Sequence, residues 1–150
     1  PARLREFLLI VDGEPVAKGR PRVTSHGTYT PDKTRAAQDN IGWKAKEAWG
    51  GQALMDGPVE VVVRAFCAPP KRGGKSYPSR LDLDNFLKLC LDALNGVVWE
   101  DDRQVVWATA EKWWADGIDP FTSIKAREVS RVRTGSVANV QPARSRRSWR

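Results

Sequence analysis

Residues 84–95, DNFLKLCLDALN, separate completely into two faces when placed on a helical wheel. At about 100° per residue, Asp84, Asn95, Lys88, Asp92 and Asn85 fall within roughly the first 100°. Leu89, Ala93, Phe86, Cys90, Leu94, Leu87 and Leu91 occupy roughly 140° to 340°. A helix apolar over more than half its girth is buried on more than one side, against a sheet and, as one option, against a second subunit. Gly96 supplies its C-terminal stop.

The rest of the chain must cover that helix, and 150 residues suit one domain. With 41% apolar and 29% charged residues the chain can build a core. Residues 5–12 read as a strand running into a turn at Gly13-Glu14-Pro15. The basic stretch KGRPR at 18–22 reads as an exposed loop. Thr30-Pro31-Asp32 begins a helix that runs over 33–49 and stops at Gly50-Gly51. Residues 58–67, PVEVVVRAFC, are rich in β-branched residues and read as a buried strand. The segment 69–80, PPKRGGKSYPSR, carries four basic and no acidic side chains and reads as a mobile basic loop. Residues 104–114 and 121–129 are the last two strands. The expected fold is α+β: a two-layer β-α-β-α-β-β domain over 1–130, its mixed sheet covered by helices, acting as a homodimer. A basic tail over 131–150 is expected to be frayed or disordered.

The net charge of +7 is concentrated in that tail. Residues 131–150 hold six arginines and no acid, which leaves 19 basic against 18 acidic residues in 1–130. Such a tail fits a polyanionic partner or simply a solvated end. No apolar run approaches the roughly 18–20 residues of a membrane span. The N-terminus shows no signal-peptide pattern, so a cytoplasmic protein without membrane association is expected. Cys67 and Cys90 lack both disulfide-framework and zinc spacing and read as small buried hydrophobes. The one histidine, His26, sits in a polar turn, so serine triads, Cys–His pairs and multi-histidine metal sites are excluded. A metal here would be held by carboxylates, which favours magnesium or manganese.

The polar stripe of the 84–95 helix is short-chained and acidic, unlike an ordinary solvated face of long Lys and Glu side chains. Asp82 precedes the helix by two residues from Asp84, and Asp101 and Asp102 follow it into the next strand. If that strand lies beside the one entering the helix, three or four carboxylates meet at one point and repel one another unless a cation neutralises them. The plainer alternative is a capping residue, with Asp84 on the helix end, and a surface turn. Two other motifs fail. An EF-hand starting at Asp82 would need glycine at Leu87 and glutamate at Ala93, and a Walker loop ending in Gly74-Lys75-Ser76 would need glycine at Pro69. The seven tryptophans mostly fall on helix or strand periodicity, which favours core or dimer packing over base stacking. Trp113 and Trp114 are neighbours on a strand, so one of them faces away from the core and is a candidate interface residue.

The block LDLDNFLKLCLDALNGVVWEDDRQVV at 81–106 closely resembles the signature of the RusA family of Holliday junction resolvases. The likeness includes the D-x-D-N-x-x-K run, the D-A-L-N-G helix end and the D-D-x-Q-V strand start. Upstream, GEPVAKGRPR at 13–22 and TYTPDKT at 28–34 are similar to the phage-type branch of that family, and the resemblance spans roughly 7–129. It implies a dimeric, magnesium-dependent endonuclease that cuts four-way DNA junctions at symmetric positions, encoded by a bacterium, a phage or a prophage. Carried onto matching positions, it implies catalytic carboxylates Asp82, Asp84 and Asp102 and an essential Lys88. The metal would be held by Asp82, Asp84 and Asp102 with Asp101 beside them, and Asp92 would support. Lys18, Arg20, Arg22, Lys71, Arg72, Lys75 and Arg80 are the expected DNA contacts. Two other readings stay open: a nuclease for flaps or other branched DNA, and a structure-selective binding protein without catalysis.

Overall fold

A computed structural model describes residues 3–19, 22–29 and 31–130. The arginine-rich tail and Arg20 lie outside the described residues. Strand β1 (Glu6–Asp12) is followed by a short hairpin, β2 (Arg22–Thr24) and β3 (Gly27–Tyr29). Helix α1 (Asp32–Trp49), strand β4 (Val59–Cys67) and helix α2 (Leu83–Leu94) come next. A single 3₁₀ turn (Asp102–Gln104) then leads into β5 (Val105–Trp114), and β6 (Phe121–Glu128) ends the described fold.

The main sheet has the order β1-β6-β4-β5. β1 and β4 both lie antiparallel to β6, while β4 and β5 run parallel, so the sheet is mixed. The expected α+β class, with two helices on a mixed sheet, therefore holds, and the elements of the main sheet and its helices follow the expected order. The β2–β3 hairpin was not expected: the sequence reads there only as a basic loop and a turn. Its Ser25-His26 turn is where the Ser25-His26-Gly27 signal places one.

One face of the sheet carries the core. Phe7, Leu9 and Val11 alternate inward from β1, Val59, Val61, Val63, Ala65 and Cys67 from β4, and Ile124 and Ala126 from β6. Period-two alternation is what a sheet covered on one side requires. Helix α1 contributes Ile41, Ala45 and Trp49, and α2 contributes Phe86, Leu89, Cys90, Ala93 and Leu94. Leu87 and Leu91, also on the apolar arc of α2, are half-buried. Met55, Val98 and Trp99 are fully buried and close the core at the C-terminal end of α2. Helix α1 stops at Gly50, whose φ of 68° and N–H bond to the Lys46 carbonyl make the left-handed cap that glycine adopts without strain.

Among the described residues no helix covers the opposite sheet face. It carries exposed Leu8 and Ile10, stacked Phe66 and Phe121 rings 4.4 Å apart, and the ion pairs Arg64–Glu111 and Arg127–Glu60, both 2.7 Å. Trp49 and Trp99 are core residues, as the periodicity favours, but Trp43, Trp107 and Trp113 are exposed. Of the adjacent pair, Trp114 packs against the core and Trp113 faces out. No helix among the described residues is long and apolar enough to cross a membrane.

Candidate active site

The segment β4–α2–β5 is a crossover between two parallel strands. Such a connection must return the chain to the starting end of the sheet, so its helix runs against the strands. Three contacts fix the direction. At the start of α2, the Leu81 carbonyl accepts from Lys112 Nζ (2.7 Å), near the C-terminal end of β5. At the other end, Asn95 forms a bridge to Trp99, and Met55, just ahead of β4, bonds to Val98 (2.8 Å). Gln104 Nε2 reaches the Met55 and Gly57 carbonyls (2.8 and 2.9 Å).

The acidic residues therefore fall at two places. Asp82 and Asp84 stand at the N-terminus of α2, and Asp101 and Asp102 at its far end, where β5 begins. The twelve-residue helix, about 18 Å long, separates Asp82 from the second pair. The expected meeting of three or four carboxylates within one chain does not occur. The next strand does lie beside the one that enters the helix, but it is parallel to it, so it starts at the opposite end. Among the described residues no three His, Cys, Asp or Glu side chains are grouped closely enough to hold a metal ion.

At the first place the helix N-cap is Asp82, not Asp84, and it makes no side-chain capping bond. Its carboxylate accepts instead from Asn85 Nδ2 (3.0 Å). Asp84 lies in the first turn. Both aspartates are exposed. The two carboxylates stand at the helix N-terminus and face solvent without capping its backbone N–H groups, Asp82 held through one oxygen by Asn85. Lys88 is one turn further along, also exposed, with its ammonium 4.0 Å from Asp92.

Asp101 and Asp102 differ from each other. Asp101 caps the 3₁₀ turn: its carboxylate accepts from the Arg103 N–H (2.8 Å), and the Gln104 side-chain oxygen accepts from the Asp101 N–H (2.9 Å). The Arg103 N–H and then the Arg103 guanidinium hold the Asp101 carboxyl below the usual carboxylate range. Asp102 does not cap the turn; its side chain stands against the Asp101 carboxyl. Gln104 was not singled out from sequence, yet it ties the acidic turn to the 55–57 segment with two bonds. Its signal was the D-x-x-Q capping-box spacing.

A groove of about 1200 Å³ opens beside the start of α2. Its walls include Arg72, Lys75, Arg80, Lys33, Thr34 and Leu81. Of the expected DNA contacts, Arg72, Lys75 and Arg80 thus share one cleft next to Asp82, and Lys71 is exposed on the same loop. Lys33 is a further basic wall that sequence reading missed. The loop folds over the cleft at Gly74, where φ is 105° and any Cβ would lie 2.5 Å from Pro70 Cγ. Trp114 Nε1 secures the loop by donating to the Lys75 carbonyl (3.1 Å).

Lys18 does not line that cleft. Its ammonium bonds Asp92 at 2.6 Å and its N–H donates to the Asn85 carbonyl (3.0 Å), so it anchors the 14–19 segment onto α2. The Arg22 side chain lies outside what the structure describes. Asn95 is also structural, accepting from the Trp99 indole (2.7 Å). His26 is exposed in the hairpin turn. Burial pushes the Cys67 and Cys90 thiols up to about 11 and about 12, so neither is a nucleophile near neutral pH.

Two comparisons bear on this arrangement. The family model described as Endodeoxyribonuclease RusA matches residues 12–125. Among curated proteins, the chain is 28% identical over 137 residues to an uncharacterized protein, YqaN, of Bacillus subtilis (strain 168), with 80% of this chain and 94% of that protein covered.

Proposed function

The chain belongs to the RusA family of endodeoxyribonucleases, and from that membership we propose that it is a divalent-metal-dependent nuclease that resolves four-way DNA junctions by paired, symmetric nicks. The observation that carries the reading is the start of α2. Asp82 and Asp84 are exposed and uncommitted to backbone capping, and they directly follow Arg80 and Leu81, which line a groove shared with Arg72 and Lys75. Carboxylates placed against DNA without a cation would weaken binding, so this pairing of acids with a basic groove favours hydrolysis over binding alone.

The donor set fits a hard ion by its chemistry: oxygen ligands, no histidine and no thiolate within reach. Asp82, Asp84 and Asp102 are the residues that would hold magnesium or manganese, with Asp101 beside them. Bound there, such an ion supplies charge neutralisation on the scissile phosphate and a water acidified toward neutral pH. Lys88, exposed and one turn from Asp84, orients that phosphate or the attacking water. Arg72, Lys75, Arg80 and Lys71 take the flanking phosphates.

Within one chain, each end of α2 offers two carboxylates. A homodimer removes the shortfall, because a two-fold axis running across α2 sets one chain's Asp102 against the other chain's Asp82 and Asp84. Two composite sites then face a two-fold junction, and strands of like polarity are cut at related positions.

The test is cleavage of an end-labelled four-way junction beside flap, fork and linear duplex substrates, with and without magnesium. Paired nicks in the junction alone, dependent on the ion, are expected. Preferential cutting of flaps would move the reading to another branched substrate. Binding without cutting would replace the nuclease with a structure-selective binding protein.

A further inference from the structure

The groove beside the start of α2 is lined by more than cations. Pro15, Val16, Pro31, Pro78, Leu81 and Trp114 make up much of its wall, together with Lys33, Arg72, Lys75 and Arg80. Its volume of about 1200 Å³ exceeds the roughly 300–1,000 Å³ of a small-molecule pocket and suits a length of extended chain. Glu14 is the one acid among the lining residues, and its carboxylate accepts from the Ala68 N–H (3.0 Å). Paired DNA keeps its base faces stacked inside the helix, so apolar walls gain little from it. An unpaired strand offers phosphates to the cations and bare base faces to the apolar walls.

Tyr77 adds a stacking surface to that wall. It stands on the same 69–80 loop, 51% exposed, and in sequence between Lys75 and Pro78 of the lining. Its ring centre lies 5.8 Å from the Lys75 ammonium and 5.9 Å from that of Lys112. Lys112 also donates to the Leu81 carbonyl (2.7 Å), which holds the ring close to the wall residue that directly precedes Asp82. The loop is fixed as well: Pro78 is buried, and the Trp114 indole holds the Lys75 carbonyl (3.1 Å). An aromatic face held in place with cations around it is the arrangement on which bases stack. Trp43 is the contrast. It is 72% exposed with the Lys46 ammonium 5.7 Å from its ring, but it lines a hollow of about 250 Å³ beside Asp39 and Asp92, where a phosphate meets carboxylates.

We propose that the cleft is a subsite for an unpaired DNA strand, with one base stacked on Tyr77 and the neighbouring phosphates held by Lys33, Arg72, Lys75 and Arg80. The cations serve any DNA that reaches them, whereas the ring and the apolar walls favour only a strand whose bases are bare. The inference rests on the nuclease reading above and adds the form of DNA engaged beside Asp82 and Asp84: single-stranded at the branch, not duplex.

Binding measured without metal separates the subsite from cleavage. Fluorescence anisotropy of the full-length chain is read with a labelled thymidine oligomer of about twelve nucleotides and with a duplex of the same length, at one salt concentration. The unmodified chain is expected to hold the oligomer more tightly than the duplex. Tyr77→Ala is expected to weaken oligomer binding by roughly 5- to 150-fold, the scale of one stacked base, and to leave duplex binding within about twofold. Tyr77→Phe, which keeps the ring, is expected to keep the preference. An oligomer bound no better than the duplex overturns the subsite. So does Tyr77→Ala lowering both affinities alike, which would make the ring a brace of the loop. Junction cleavage by the unmodified chain in magnesium is scored separately. Cleavage without a single-strand preference removes the subsite and leaves the nuclease standing. Single-strand binding governed by Tyr77, without cleavage, supports the subsite and removes the nuclease.

Discussion

Asp82 and Asp102 stand at opposite ends of α2, with about 18 Å of helix between them. Topology imposes the distance, because the helix joining parallel β4 and β5 returns the chain to the start of the sheet before β5 begins. A site shared across two chains has a specific consequence. Asp82→Asn and Asp102→Asn chains, each inactive alone, are expected to regain cleavage when mixed, because a mixed dimer keeps one intact site of its two. With random assortment the recovered nicking is roughly a quarter of the unmodified level, as single nicks and not pairs. No recovery, after exchange of subunits is verified by mass, would mean that each chain builds its own site.

Asp84→Asn separates catalysis from binding. The carboxylate is exposed and makes no capping bond, so the fold should tolerate the change. Cleavage is expected to fall about 100-fold or more, the scale of losing a group that faces developing charge. Affinity for the junction, read by fluorescence anisotropy in the absence of the metal, should hold or rise, because a negative charge facing phosphates has gone. Binding that declined in step with cleavage would place Asp84 in the DNA contact surface instead.

Much of this was legible in the sequence because period and composition are local. The wheel of 84–95 located α2 to within a residue, and the β-branched run at 58–67 located β4. The pairing of Lys18 with Asp92 was not legible, because a basic run looks alike whether it meets DNA or an acid 74 residues away. The gathering of Asp82, Asp84 and Asp102 in one chain failed for a similar reason: spacing places residues on a helix, but the parallel pairing of β4 and β5 decides which end of the sheet each reaches. Gln104 was read only as part of the D-D-x-Q-V strand start, and its tie to the Met55 and Gly57 carbonyls was not legible because those are backbone atoms that no side-chain pattern announces.

Salt dependence should distinguish the basic residues from one another. Arg72, Lys75 and Arg80 line the groove. Replacing any one with alanine is expected to lower the slope of log affinity against log salt by about 1, on every DNA shape alike. Lys18→Ala should leave that slope unchanged, since its ammonium is taken up by Asp92 at 2.6 Å. Titrations of one labelled junction at several salt concentrations measure both. An equal drop for Lys18→Ala would mean that the pair opens when DNA binds.

Acid should loosen the sheet at its β1 edge. Glu128 ends β6 and receives Arg5 twice through its guanidinium, at 2.7 and 3.1 Å, and once through the Arg5 N–H at 2.9 Å. The Arg5 side-chain bond holds the Glu128 carboxyl below the usual glutamate range. Because the folded value is the lower one, the pair contributes its full stability above the unfolded glutamate value of about 4.3 and loses it as pH falls through the folded value. Glu128→Gln is expected to cost about 1–3 kcal/mol at pH 7, since the Arg5 guanidinium then lacks its charged acceptor. Urea melts at pH 7 and at about pH 3 would measure this, with the gap between the two proteins closing at the lower pH. A gap that stayed constant across that range would show that the variant acts through packing and not through the carboxylate's charge.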